Sequence, residues 1–219
     1  MDSNTIISYI PLYKEAFLLT LKIGWLGILI ALVIGICGGF VVYFKIPVIK
    51  SIFKVYIELF RNTPLLVQLF FIYFALPKLG LVISAETAGV LGIGLLGGSY
   101  MIESIRSGLE AVPLSQIENA KALGMKRGQL FRYVVFPQAF SLSVPALVAN
   151  IIFLLKETSV FSAISLMDLM FTAKDLIGLY YRTTESLFLL VVFYIIMLLP
   201  VSILGNIIEK KVRYGMFGD

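Results

Sequence analysis

Three stretches of the chain, Ile23 to Phe44, Tyr133 to Leu155 and Ser186 to Ile208, carry no charged residue. Each is longer than the roughly 20 residues a helix needs to cross a bilayer. Two shorter apolar runs, Asn62 to Pro77 and Thr87 to Ile102, approach that length when Glu58, Arg61 or Glu103 is drawn into them. The pattern predicts an all-α integral membrane protein with about five transmembrane helices. Residues 1–219 read as a single transmembrane domain, because no linker, low-complexity run or internal repeat interrupts them. Between the third and fourth runs lies a polar segment, "SQIENAKALGMKRGQLFRYVVFPQ". Pro113 stops the preceding helix, Ser115 and Glu118 have the spacing of a capping box, and Gly124 offers a C-terminal stop. The expected helix, Gln116 to Leu123, puts Ile117, Ala120 and Leu123 on one face and turns Glu118, Asn119 and Lys121 elsewhere. Two turns are marginal alone in water, so this helix needs a surface to dock on.

Glycines and prolines refine the spans. Gly35/Gly39 in the first and Gly94/Gly98 in the third form small-xxx-small pairs, which let neighbouring backbones approach closely; packing within one chain is the expected use, ahead of a seam between copies. Pro64 and Pro77 read as helix termini, whereas Pro145, well inside the fourth span, is the expected kink.

Composition and charge then bound the function. The chain is 59% hydrophobic and 14% charged, with a mean hydropathy of +0.97. Its net charge of +5 would suggest nucleic acid in a soluble protein, but the cations flank spans instead. Lys45, Lys50 and Lys54, then Lys121, Lys126, Arg127 and Arg132, then Lys210, Lys211 and Arg213 fall on one side; Lys14, Lys22, Lys78, Lys174 and Arg182 fall on the other. The excess of positive charge predicts a multi-pass protein of the cytoplasmic membrane with the N-terminus out and the C-terminus in. Residues 1–19 are then extracytoplasmic, the loop 113–130 is cytoplasmic, and 209–219 form a cytoplasmic tail. Asp2, with no Lys or Arg before Lys14, is unlike the basic start of a cleavable signal peptide. A single cysteine (Cys37) and no histidine argue against an internal disulfide, a metal site or histidine-based catalysis. No G-x-x-x-x-G-K-[ST] loop occurs, so the chain is not expected to hold nucleotide phosphates itself. It is read as a non-enzyme without catalytic residues, its energy coming from a partner or an ion gradient.

Ionisable side chains inside or beside spans are costly and mark candidate sites. Glu58 and Arg61, like Glu103 and Arg106, stand three residues apart and could pair on one helix face. An amino acid offers an ammonium and a carboxylate: Glu103 is placed to receive the first, Lys156 with Thr158 and Ser159 the second. Asn150, a turn and a half deeper than Lys156, adds a neutral hydrogen-bonding group. Asp168 is a weaker acid candidate, expected in a solvated loop. Among the aromatics Phe70, Phe71, Tyr73 and Phe74, Gln68 is the polar residue expected to turn inward.

Glu118, Asn119 and Ala120, followed by Gly124 and by a stretch ending Phe136-Pro137, resemble the EAA loop of permease subunits of ATP-binding-cassette importers. "ELFRNTPLLVQLFFIYFALP", "SYMIESIRSGLEAVP" and "LLKETS" extend the match and look like the polar amino acid uptake branch of that family, over nearly the whole chain from Thr20 to Arg213. Asn119 departs from the pattern, where alanine is usual. The resemblance implies a type I importer permease fold in which Glu118, Asn119, Ala120, Leu123 and Gly124 form a coupling helix. It implies as partners two ATP-binding-cassette ATPase subunits that bind ATP and Mg, a second permease copy (identical or related), an extracytoplasmic solute-binding protein and membrane lipid, with no nucleic acid. The implied cargo is a polar amino acid; the intramembrane acids favour a basic one, with glutamine as close rival. A channel or ion-coupled carrier is the alternative of another class, and the missing internal repeat weighs against it.

Overall fold

The computed structural model describes residues 2–217, with side chains to residue 212, so Met1, the end of the tail and the side chain of Arg213 lie outside the described residues. Every regular element among the described residues is helical. Helix α1 (Ser3–Tyr43) is long enough to cross a membrane and extend beyond it, and α4 (Ala85–Glu110) is the second long apolar helix. These two run parallel, because contacts climb together along both. An added Cβ at Gly27 would sit 2.6 Å from Ile93, one at Gly94 2.8 Å from Ile30, one at Gly98 2.7 Å from Ile34 and one at Gly39 2.7 Å from Ile105. Each glycine thus receives an isoleucine from the other helix, and both small-residue pairs serve packing within the chain, as the sequence predicts.

Two parallel helices require the chain to return between them, and the return is a broken crossing. Helix α2 (Ile49–Arg61) meets the helical stretch Leu65–Leu79 at 103°. That stretch comprises α3 (Leu65–Phe70), a wide π turn at Phe71–Ala75 and a tight 3-10 turn at Leu76–Leu79. The bend falls at Pro64, the N-cap of α3, so Pro64 stands at a helix terminus as expected. Pro145 lies inside α7 (Phe136–Glu157), which runs on through it without a break. At Pro64, by contrast, α2 has already ended at Arg61, and the Gln68 amide donates to the freed carbonyls of Phe60 (3.0 Å) and Thr63 (2.8 Å). Side-chain repair of this kind lets a break survive at membrane depth. The π turns at Phe71–Ala75 and Phe131–Val135 stand just ahead of Pro77 and Pro137, where a wider turn eases the clash of a proline ring with the preceding turn.

Helix α7 continues α6 (Arg127–Leu130) through the second π turn and runs antiparallel to α4: Ala139 and Ser143 approach Gly108, Asn150 meets Ser104, and Leu154 meets Gly97. Helix α9 (Thr183–Phe217) returns along α7, with Val148 against Gly205. A 3-10 turn at Thr158–Ile164 presses Phe161 and Ile164 into the core beside α1 and α4, and α8 (Leu169–Tyr180) covers the connection to α9. Among the described residues four helices are thus long and apolar enough to cross a membrane, five with the broken pair counted as one span, and the two ends of the chain lie at opposite ends of the bundle.

Candidate functional site

Helix α5 (Leu114–Ala122) links α4 to α6 at the end of the bundle where α1 also finishes. Pro113 is its N-cap, and no side-chain hydrogen bond caps it. This corrects the capping-box expectation: Ser115 already lies inside the helix, because proline supplies a pre-set φ and lacks the N–H that would need a partner. The C-terminus matches expectation in full. Gly124, at φ +76°, donates to Lys121 O (2.9 Å) and Met125 donates to Ala120 O (3.2 Å), the two bonds of a Schellman motif.

The faces divide differently from the sequence reading. Ala120 is 4% exposed, and Ile117 is partly buried against the cluster of Leu109, Val112, Val135 and Ala139. Leu123, grouped with them in the sequence reading, is 79% exposed and Leu114 69%. Leu123 is the C-cap, already turning out of the helix. Glu118 and Asn119 are exposed, so Asn119 faces away from the buried alanine, as expected. The loop anchors itself through Ile117 and Ala120 and presents Leu114, Glu118, Asn119 and Leu123 to whatever binds it.

A second polar group occupies α2, α4 and α7. The Arg106 guanidinium engages both Glu103 (Nε to Oε2 3.1 Å) and Glu110, confirming the expected pair and extending it by one acid. The Glu58–Arg61 pair is not formed. The Glu58 carboxylate accepts from Asn62 (2.9 Å), while Arg61 stands over the Tyr100 ring, 5.1 Å from its centroid; cation–π contact substitutes for the ion pair. Asn150 donates to Ser104 Oγ (2.8 Å), tying α7 to α4. Such bonds in membrane bundles average about 0.6 kcal/mol. The single substitutions Asn150→Ala and Ser104→Ala are therefore expected to be non-additive by about that amount in a double-mutant cycle of unfolding in mixed micelles. Strict additivity would show that the bond carries no coupling.

The remaining candidates scatter. Lys156 is exposed and opens onto a cavity of about 620 Å³ between α7 and α9, with Tyr194, Leu198 and Ser202. Thr158 is buried and donates to Leu155 O (2.7 Å), and Ser159 is partly buried. Gln68 is inward, as predicted, and acts as the clasp of the broken crossing. Tyr100 and Ser104, which engage Arg61 and Asn150, had no signal in the sequence beyond their polarity.

Asp168 is fully buried, correcting the expected solvated loop: it is the N-cap of α8, accepting from Met170 (3.3 Å) and Phe171 (2.9 Å). Burial in this connection between spans pushes its carboxyl up to about 6, against the pull of those backbone bonds. Because the folded value lies above the ordinary one, the carboxyl's contribution is complete at low pH and is lost as pH rises through about 6. Asp168→Asn keeps a capping acceptor and carries no charge. Its stability relative to wild type should rise between pH 4.5 and pH 8 by up to about 2 kcal/mol at 1.36 kcal/mol per unit, read as a higher relative melting temperature. A pH-independent difference would refute the assignment.

The chain matches the family model described as "Binding-protein-dependent transport system inner membrane component" over residues 26–214. It is 32% identical to the arginine transport system permease protein of Bacillus subtilis (strain 168), covering 97% of this chain and 98% of that protein. It is 34% identical to the glutamine transport system permease protein of Escherichia coli (strain K12), again over 97% and 98%. Among solved structures, an amino acid ABC transporter determined with histidines shares 35% identity and superposes with a TM-score of 0.89, covering 96% of this chain and 99% of that one.

Proposed function

The chain belongs to the inner-membrane components of binding-protein-dependent transport systems, and from that premise we propose that it is the permease subunit of an ATP-driven amino acid importer. Partner ATPases bind and hydrolyse ATP with Mg, and this chain transmits the work. Two permease copies, identical or related, enclose the pathway and receive the solute from an extracytoplasmic binding protein. The N-terminus lies outside and the C-terminus inside, which puts the 113–130 loop in the cytoplasm. The observation that carries the reading is α5 itself: a helix anchored by Ile117 and Ala120 and stopped by a Schellman turn, with Leu114 and Leu123 bare on its outer side. Exposed leucines on a rigid knob fit a socket on another subunit.

For the cargo we infer a basic amino acid. Glu103 and Glu110 share one guanidinium, so the group around Arg106 keeps one net negative charge that complements a cationic side chain. Glutamine is the second reading, favoured by the likeness to glutamine permeases. Residue roles follow: Glu103, with Glu58 behind it, faces the cation; Lys156 with Ser159 and Thr158 faces the carboxylate; Asn150, Gln68, Asp168 and Arg61 shape the surrounding polar lining. Proteoliposomes holding the complete assembly decide the matter. ATP-dependent, vanadate-sensitive uptake of labelled arginine, competed by lysine and not by glutamine, is expected. Competition by glutamine alone would reassign the cargo, and uptake driven by an ion gradient without ATP would overturn the importer.

A further inference from the structure

Three lysines take no part in the coupling helix or the polar group on α4. Lys45, Lys50 and Lys54 line a cavity of about 420 Å³ between the end of α1, α2 and α4, and Glu58, Glu103, Arg106 and Glu110 line its other walls. Arg106 is satisfied by Glu103 and Glu110, and Glu58 accepts from Asn62. Among the described residues the three ammonium groups have no ion-pair partner within 4 Å, and the four cations of the lining stand against three carboxylates, an excess of one positive charge that lies on the lysine side. Neighbouring cations without a direct partner repel one another, and an anion between them relieves that repulsion.

Helix α2 supplies the second half of the chemistry. At 100° per residue it has three faces. Phe53, Tyr56, Ile57 and Phe60 turn inward, with the Tyr56 hydroxyl bonded to the Leu95 carbonyl; Lys50, Lys54 and Glu58 form the charged face; Ile52, Val55 and Leu59 stand bare beside it, each at least 60% exposed. The 103° bend at Pro64 tilts this helix away from the line of the following stretch. The lysines lie at the same end of the bundle as α5, where the apolar part of α1 gives out. A cationic cavity at the membrane boundary, bordered by a bare apolar stripe, matches an anionic headgroup joined to an acyl chain.

We propose that this cavity holds one anionic glycerophospholipid, its phosphate among Lys45, Lys50 and Lys54 and an acyl chain along Ile52, Val55 and Leu59. The charge complementarity selects lipid over a second copy of this chain, which would bring the same lysines. The lysines stand on the α1–α2 side of the cavity and Glu103 on its α4 wall, so the inference does not rest on the cargo reading or on the coupling role.

The full-length chain, purified in detergent in the assembly in which it extracts, is delipidated and offered dioleoyl-phosphatidylglycerol, dioleoyl-phosphatidylcholine or inorganic phosphate. Native mass spectrometry should show a retained phosphatidylglycerol adduct, at least tenfold above phosphatidylcholine. The combined substitution Lys45→Gln, Lys50→Gln, Lys54→Gln should abolish that preference, whereas Lys210→Gln with Lys211→Gln should keep it. Should the triple variant not fold, the three single substitutions should each reduce the adduct, and arginine at the same positions should restore it. Ile52→Ser with Leu59→Ser should reduce retention while the size of the assembly stays unchanged. Equal retention of the two lipids, an adduct indifferent to the lysines, saturation by inorganic phosphate alone, or dissociation of the assembly by the stripe substitutions would each overturn the proposal.

Discussion

Gly35→Val removes most of the folded protein from the membrane. A Cβ at Gly35 would fall on the Met101 Cβ and within 3.1 Å of the Met101 carbonyl carbon, so no rotamer change makes room and the backbones of α1 and α4 must separate. Overpacking typically costs about 1–3 kcal/mol, and here the displaced atoms include backbone deep in the α1–α4 seam, which puts the expected effect at the top of that range. Fluorescence-detected size exclusion should show a collapsed monodisperse peak and a melting temperature lower by several degrees, with Gly35→Ala intermediate. The control is Gly178→Ala in α8, where an added Cβ meets nothing within 4 Å; it should be neutral or gain a few tenths of a kcal/mol. Equal effects at the two sites would refute the seam as the basis of stability.

Gly124→Leu should do the opposite, leaving the protein folded and stopping transport. Nothing lies within 4 Å of a Cβ at Gly124, but its φ of +76° is left-handed, a conformation that costs an ordinary L-residue roughly 1–2 kcal/mol. Helix α5 is short enough for that penalty to unwind its last turn, losing the bonds to Lys121 and Ala120. Expression and melting temperature should then match wild type, while uptake falls at least tenfold and ATPase activity no longer responds to the binding protein. Gly124→Asn, which tolerates the left-handed region, should retain most of the transport. Normal ATPase copurification together with normal uptake by Gly124→Leu would remove α5 as the coupling element.

The spans and the short helix were legible because charge-free length and glycine spacing are local properties, and the structure makes the same use of them. What failed depended on neighbours. Pro145 and Pro64 look alike in sequence, yet α7 runs on through one while the chain turns by 103° at the other, where Gln68, eight residues beyond Phe60, takes up the freed carbonyls. Asp168 looks solvated because its flanks, Met167 and Leu169, say nothing of the α1 residue Thr20, whose hydroxyl accepts from the Leu169 N–H. Leu123 has helical spacing relative to Ala120, but the Schellman turn rotates it outward. The Glu58–Arg61 spacing permitted a pair, and Tyr100 from another helix took the guanidinium instead.

The parallel seam of α1 and α4 also decides how motion can pass through the bundle. With isoleucine teeth seated in glycine notches along most of their shared length, neither helix can slide or roll without the other, so together they have the stiffness of one thick rod. Helix α5 starts four residues after α4 ends, so in the coupling role proposed for it a push on α5 would be passed to that rod. Such a displacement would be taken up where the backbone departs from the regular α-helix, at the Pro64 elbow and in the two wide turns ahead of Pro77 and Pro137.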